Sequence, residues 1–274
     1  MRRGRIALLV VAAAALASVA TAAAAGAPRE FKVVFPEGYT RARMVDQVSA
    51  VRKIAERKLR AAHEPAQIAL SGTAYARAST HVVVPCFGKD AQRSAEGFLF
   101  PSTYAFDART LGSNIVANQL AAFCAAWSKL DLAYARSKNL TAYDVLTIAS
   151  MVEAEAALPG DRPKIAAVIY NRLRLGMPLG IDATLRYGLH IPPTKSITQA
   201  ELASDNPYNT RTRKGLPTTP ISNPGLAALR AAARPSTLGY LYYARIPGTN
   251  RHAFFESYAA FESFLETHGY GPHQ

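Results

Sequence analysis

The sequence predicts an α+β protein: a small N-terminal α+β lobe followed by a mainly helical domain that ends in a β-hairpin and one last helix. Three observations lead there. Apolar residues recur at helical spacing through 113–130, 141–156 and 161–175. Strand-like runs are short and lie toward the ends, at Phe31–Phe35 and at Tyr240–Ile246 with Arg251–Glu256. At 274 residues, 49% hydrophobic and 19% charged, the chain buries a core without a disulfide framework.

The elements follow in order. FKVVF (Phe31–Phe35) is a strand broken by the turn Pro36-Glu37-Gly38. Thr40 caps a helix through about Arg60, with Met44, Val48, Val51 and Ile54 on its apolar side. Small residues fill Ser71–Thr80, and His81–Pro85 is strand-like, so this lobe ends near Ala95. Ser113–Leu130 is an amphipathic helix with Ile115, Leu120, Phe123 and Trp127 facing in. Thr141 opens the next helix, with Asp144 as capping-box partner and Val145, Ile148, Val152 and Ala156 as the buried stripe. Asp161 caps a third, with Pro163 in its first turn and Gly176 and Pro178 at its end. Loop follows as far as Gly215–Gly225, and a short helix starts at Asn223-Pro224 and stops before Pro235. The hairpin comes next. Ser257 then caps the last helix, with Phe261, Phe264 and Leu265 turned inward.

Charge and leader set the compartment. Arg2, Arg3 and Arg5 precede the uncharged run Ile6–Ala25, which addresses the chain out of the cytoplasm. The run is long enough to span a bilayer, but most of it is alanine, and Ala23-Ala24-Ala25 offers a cleavage site. Cleaved signal and retained anchor both fit. The domains are thus 1–25 as signal or anchor, 26–95 as the lobe and 96–274 as the main domain. Loss of the three leader arginines lowers the net charge only from +13 to +10. Export removes nucleic acid from the partners and leaves anionic lipid or the carboxylate-bearing peptides of a cell wall.

Most catalytic chemistries find no residues here. No G-x-S-x-G, S-x-x-K, phosphate-binding loop or dinucleotide fingerprint is present. Histidines at 63, 81, 190, 252, 268 and 273 lack metal-ligand spacing, so neither metal nor cofactor is expected. Cys86 and Cys124 either pair or sit as small buried hydrophobes, and the second reading is preferred. Carboxylates remain. Glu153 and Glu155 punctuate an otherwise apolar helix and stand 200° apart at ~100° per residue, so they cannot share one pocket. Either one faces a cleft and the other solvent, or both are solvated flank residues of an amphipathic helix, and periodicity does not choose between Glu153 and Glu155.

ASMVEAE (Ala149–Glu155) resembles the A-S-I-V-E-K-E helix of the endolytic murein transglycosylases, the YceG-like family. Further pieces follow in family order: Glu96–Tyr104 (EGFLFPSTY), Asn171-Arg172-Leu173 with Gly176-Met177, Asp182-Ala183-Thr184, and Tyr208-Asn209-Thr210. Gly215-Leu216-Pro217, Asn223-Pro224-Gly225, Tyr240-Leu241-Tyr242 and His252-Ala253-Phe254 complete the series. Departures occur where Gly180, Ala183, Arg211 and Thr218 replace the usual Gln, Pro, Tyr and Pro. Only its strand–turn–helix opening makes the N-terminal lobe similar to a LysM-like module.

The resemblance implies a lytic transglycosylase that cuts the MurNAc–GlcNAc bond of nascent peptidoglycan, leaves 1,6-anhydro ends and terminates glycan elongation. It implies Glu153 as the catalytic residue and Asp182, Thr184, Tyr208, Asn209 and Thr210 as substrate-binding residues. It also implies peptidoglycan strands and possible peptidoglycan synthases as partners, and a single-pass anchor in the cytoplasmic membrane. Two other readings stay open: a non-catalytic wall-binding scaffold, and a hydrolase that pairs Glu153 with a second acid such as Glu96.

Overall fold

A computed structural model describes residues 28–87 and 94–270. The leader at 1–25 lies outside the described residues. In chain order the elements are β1 (Phe31–Val34), α1 (Arg41–Ala61), α2 (Gly72–Ala78), β2 (Thr103–Phe106), α3 (Gly112–Trp127) and α4 (Ala133–Ser137). There follow α5 (Ala142–Glu155), α6 (Arg162–Arg174), α7 (Asp182–Gly188), α8 (Gln199–Leu202) and α9 (Leu226–Ala233). The chain closes with β3 (Tyr242–Arg245), β4 (His252–Phe255) and α10 (Tyr258–Thr267). The protein is helix-rich α+β, with two small antiparallel sheets among the described residues.

Helix starts follow the sequence closely because side-chain caps are local. Thr40 Oγ1 accepts from the Arg43 amide at 3.2 Å, and Ser257 Oγ from the Ala260 amide at 3.3 Å. In the α5 capping box Thr141 Oγ1 accepts from the Asp144 amide at 3.1 Å while Asp144 Oδ2 accepts from the Thr141 amide at 2.8 Å. Asp161 flanks α6 as expected but makes no capping bond with its side chain; the carboxylate serves His252 instead.

Sheet pairing was not legible locally. β1 pairs antiparallel with β2, Phe31 opposite Phe106 and Val34 opposite Thr103. The strand that opens the N-terminal lobe therefore finds its partner beyond residue 96. A single apolar core runs from Val33, Met44 and Val48 through Ile115 and Phe123 to Ile148, Val152, Ile165 and Leu229.

Some expectations are corrected. Ile54 is 42% exposed, and α1 buries Ala55 and Leu59 in its place. Residues 81–84 form no strand; the segment ends in a 3₁₀ turn at 85–87. Phe87 anchors that turn, its ring centroid 4.7 Å from Trp127 and 5.0 Å from Phe98. This lays Cys86 over α3, where it forms a disulfide with Cys124, the Cα atoms 5.5 Å apart. Cys86 is exposed, so the preferred reading of two buried thiols fails: the burial comes from Phe87, its neighbour. The inward residues of α10 are half-buried, packing on the hairpin through Phe255 with Phe261 and Phe264 rather than joining the core.

Candidate active site

α5 is buried without a break from Val145 to Val152. Its last turn carries Glu153 and Glu155 out of that environment. The loop before α9 is fastened one turn earlier: Ser150 Oγ accepts from the Ile221 amide at 3.0 Å, and Ser222 Oγ donates to Ser150 O at 3.0 Å. Asn223 then ties this loop to the N-terminal lobe. Its carbonyl accepts from the Gly38 amide at 3.0 Å, and its Nδ2 donates to Tyr39 O at 2.9 Å. With the loop held at both ends, the Gly225 amide at the start of α9 aims at α5.

That amide donates to Glu153 Oε2 at 2.9 Å. Arg162 Nη2, from the first turn of α6, stands 3.4 Å from Glu153 Oε1. The Glu153 side chain is 6% exposed. A second carboxyl arrives from the Pro36–Gly38 turn: a Cβ built on Gly225 would lie 1.8 Å from Glu37 Oε1, so Glu37 rests against the bare Cα of Gly225. Burial of its carboxyl end, then the charge of Glu153, hold Glu37 above the usual carboxylate range, and Arg162 opposes them. Both carboxyl groups thus converge on one glycine.

Glu155 leaves α5 on the opposite flank, as the 200° separation requires, yet it does not meet solvent freely. It is half-buried, and Tyr243 Oη of β3 donates to its Oε2 at 3.1 Å. Burial pushes the Glu155 carboxyl up; Tyr243 pulls it back, the Asp182 charge raises it further, and His252 and the Ala183 amide lower it. Asp161 Oδ2 lies 3.0 Å from His252 Nδ1 and accepts from the His252 amide at 3.2 Å. This second cluster ties α5 to the hairpin.

The five residues expected at the substrate divide. Thr184, Asn209 and Thr210 are buried. Thr184 Oγ1 and Thr210 Oγ1 are 3.0 Å apart, and Thr210 Oγ1 accepts from the Ile181 amide at 3.0 Å. Asn209 Nδ2 donates to Leu202 O at 2.9 Å and Ser204 O at 2.8 Å. Asp182 is partly exposed and bound by Arg211, whose Nε and Nη2 stand 2.8 and 2.6 Å from Oδ1. Tyr208 is half-buried, its hydroxyl 2.9 Å from Thr219 Oγ1 and its ring edge-on to Tyr187 at 5.1 Å.

Glu96, the second acid of the hydrolase reading, is 4% exposed and fully engaged. The Arg41 amide reaches both its oxygens at 3.0 and 3.1 Å; Asn223 Nδ2 donates at 2.8 Å and Tyr187 Oη at 3.2 Å. No lone pair is left for activating a water. Burial pushes its carboxyl up to about 7 against the pull of Arg41, Tyr187 and Asn223. Sequence reasoning missed Glu37, Arg162 and the role of Gly225. A carboxylate inside a Pro-x-Gly turn and an arginine nine positions after Glu153 were the available signals.

A glutamate at a helix end, held by one arginine and one helix-start amide in an α+β frame, is an arrangement that can serve carboxyl acid–base chemistry. The chain matches the YceG-like family over residues 10–266, and it belongs to that family. It is 33% identical over 159 residues to the endolytic murein transglycosylase of Bacillus subtilis, covering 57% of this chain and 43% of that one. To the enzyme of the same name from Streptococcus pneumoniae it is 34% identical over 167 residues, covering 58% and 30%. The chain thus spans less than half the length of the curated relatives it matches. A crystal structure of a yceG-like protein from Listeria monocytogenes superposes with a TM-score of 0.67 at 27% identity, covering 85% of this chain and 75% of that one.

Proposed function

We propose that the chain is an endolytic murein transglycosylase that cuts the β-1,4 bond between MurNAc and GlcNAc inside nascent peptidoglycan strands. The observation that supports it best is the guarded carboxyl of Glu153, fixed from two sides by Gly225 and Arg162. Glu153 acts as the sole acid and base. Its proton goes to the glycosidic oxygen as the bond to the MurNAc anomeric carbon breaks, and the GlcNAc side leaves with a free hydroxyl. The carboxylate then takes the proton of the MurNAc 6-hydroxyl as that oxygen closes on the anomeric carbon. The product is a 1,6-anhydro end, and no water is consumed.

A hydrolase needs two carboxyl groups flanking the bond, about 5–9.5 Å apart. Glu96, the second acid of the hydrolase reading, is sealed by its four hydrogen bonds, so the lytic route is favoured over hydrolysis. Tyr208 and Asp182 offer surface to the glycan, while Thr184, Asn209 and Thr210 fix the wall behind them. The opening strand, turn and helix, the LysM-like part of the resemblance, serve to deliver Glu37. The site works outside the cytoplasm, anchored through 6–25 and next to peptidoglycan synthases, where it ends glycan elongation. Among the described residues no helix is long and apolar enough to cross a membrane.

Digestion of purified murein followed by mass spectrometry of the fragments tests this reading. Anhydro ends, lighter by one water than hydrolysed ends, are expected. Reducing ends would make the protein a hydrolase, and binding without cleavage by folded wild type would make it a scaffold.

A further inference from the structure

Beside the acid–base site lies a groove that the proposed reaction leaves unused. It encloses roughly 540 Å³ between α9, the 129–131 turn and the start of α6. Four cations and one acid line it: Lys129, Arg162, Arg230, Arg234 and Asp131. Ala227 and Arg230 lie three apart on α9, and Arg234, the C-cap residue just beyond it, lines the same groove. Cations near a helix C-terminus are favoured by its dipole, but that does not explain why Lys129 and Arg162, from two other elements, converge on the same space. Among the described residues, Lys129, Arg230 and Arg234 have no acidic partner.

Arg162 joins the groove to the site. Its Nη2 faces Glu153, while its Nε is buried without a hydrogen-bond partner. A buried donor left empty is costly, and native proteins rarely tolerate one unless a ligand or water fills it. Measured along α9 at ~1.5 Å per residue, Arg230 and Arg234 lie about 8 and 14 Å beyond Gly225. An extended peptide covers that span in about two to four residues at ~3.3–3.6 Å each.

We propose that this groove is a subsite for the carboxylates of the peptide stem carried by the sugar next to the scissile bond, a proposal that rests on the murein reading above. Asp131 distinguishes the stem from a phosphate. Its Oδ1 accepts from the Ala133 amide at 2.9 Å, and its carboxylate adds one negative charge to a cationic groove. That arrangement suits a peptide with several carboxylates and an amine, and it penalises a multiply charged phosphate. Arg230 and Arg234 supply planar donor pairs for carboxylates, and Arg162 links stem binding to the position of Glu153.

The test compares two glycan preparations, peptide-bearing strands and the same strands stripped of stems by an amidase. Wild type is expected to prefer the peptide-bearing strands in kcat/KM. The double variant Arg230→Gln/Arg234→Gln should lower that preference ratio by about tenfold, mainly through KM, with Lys129→Gln on the opposite wall moving it in the same direction. Arg230→Lys/Arg234→Lys should return only part of it. Sedimentation of the Glu153→Gln protein with insoluble peptide-bearing murein, at rising salt, reads the subsite without turnover. Stem-dependent, salt-sensitive binding there without anhydro ends from wild type would uphold the subsite and sink the transglycosylase reading. An unchanged preference ratio in the glutamine variants, or wild type indifferent to the stems, would overturn the subsite. So would inorganic phosphate displacing the murein at lower concentration than free stem peptide.

Discussion

Gly225 and Glu153 are joined by one hydrogen bond, amide to Oε2 at 2.9 Å, and the same glycine receives Glu37 on its bare Cα. Neither residue of the carboxyl pair can be understood without that glycine, which stands at the start of α9 in ordinary extended backbone. Its lack of a side chain is a matter of space and not of φ.

Two substitutions should therefore act alike. Gly225→Ala leaves the amide facing Glu153 but pushes the flexible end of Glu37 aside, since the new Cβ would stand 1.8 Å from Glu37 Oε1. Glu37→Gln removes the charge outright. The groups facing this spot are Glu37, Glu153 and Arg162. Both changes disturb the place where Glu37 lies beside Glu153 on Gly225, so kcat/KM for anhydro-end formation should fall by about tenfold to 10²-fold in each while the variants still fold. Wild-type rates in both would remove Glu37 from the site.

Glu153→Gln should cost at least the ~10²–10⁴-fold that positioned acid–base catalysis contributes, because one residue supplies both proton transfers. Glu155→Gln should stay within about tenfold of wild type. Its amide oxygen still accepts from Tyr243, and the variant no longer buries a charge that burial disfavours. Initial rates of anhydro-end formation on purified murein decide it. Equal losses would mean that the acid had been assigned to the wrong glutamate of E-A-E.

These contrasts mark what the sequence carried. α5 was legible from its capping box and apolar stripe, and the loops around α9 from their prolines and glycines, because those signals act within a few residues. The opposite flanks of Glu153 and Glu155 followed from helical geometry alone. Solvent access did not: Tyr243 lies 88 positions from Glu155 and reaches it only after the hairpin packs. Asn223 meets Glu96 across 127 residues and Tyr39 across 184, Glu37 meets Gly225 across 188, and no local pattern reports such pairings. Short helices such as α7 and α8 read as loop, because four to seven residues hold too little periodicity.

The Cys86–Cys124 disulfide closes a loop over a sequence separation of 38 residues. Constraint of the unfolded chain by such a loop is worth about 4 kcal/mol, which for a chain of this size is on the order of 10 °C in Tm. Cys86→Ser/Cys124→Ser should lose about that much in a thermal melt. Activity well below the melt should be kept, because no sulfur touches the Glu153 site. Loss of activity in a variant that melts like wild type would contradict the separation of staple from site.

Glu96 makes stability depend on pH. Its carboxyl rises from 4.5 to about 7 in the folded protein, so the folded state holds a proton that the unfolded chain has released. The contribution is fully present below about pH 4.5 and is lost as pH rises through about 7, beyond which the curve is level. The full difference is about 3 kcal/mol at ~1.4 kcal/mol per pH unit, for a shift that already includes the pull of the three donors. Glu96→Gln keeps an oxygen for the Arg41 amide and Asn223 and turns an amide nitrogen toward the Tyr187 hydroxyl, so it mimics the protonated form. Wild type should lose Tm between pH 5 and pH 8 by several degrees more than Glu96→Gln does. Glu37 and Glu155 are shifted in the same direction, but they are present in both proteins and cancel in the comparison. Parallel Tm curves for the two proteins across that range would show that Glu96 is ionised in the folded state at every pH tested, with the Arg41 amide, Asn223 and Tyr187 outweighing its burial.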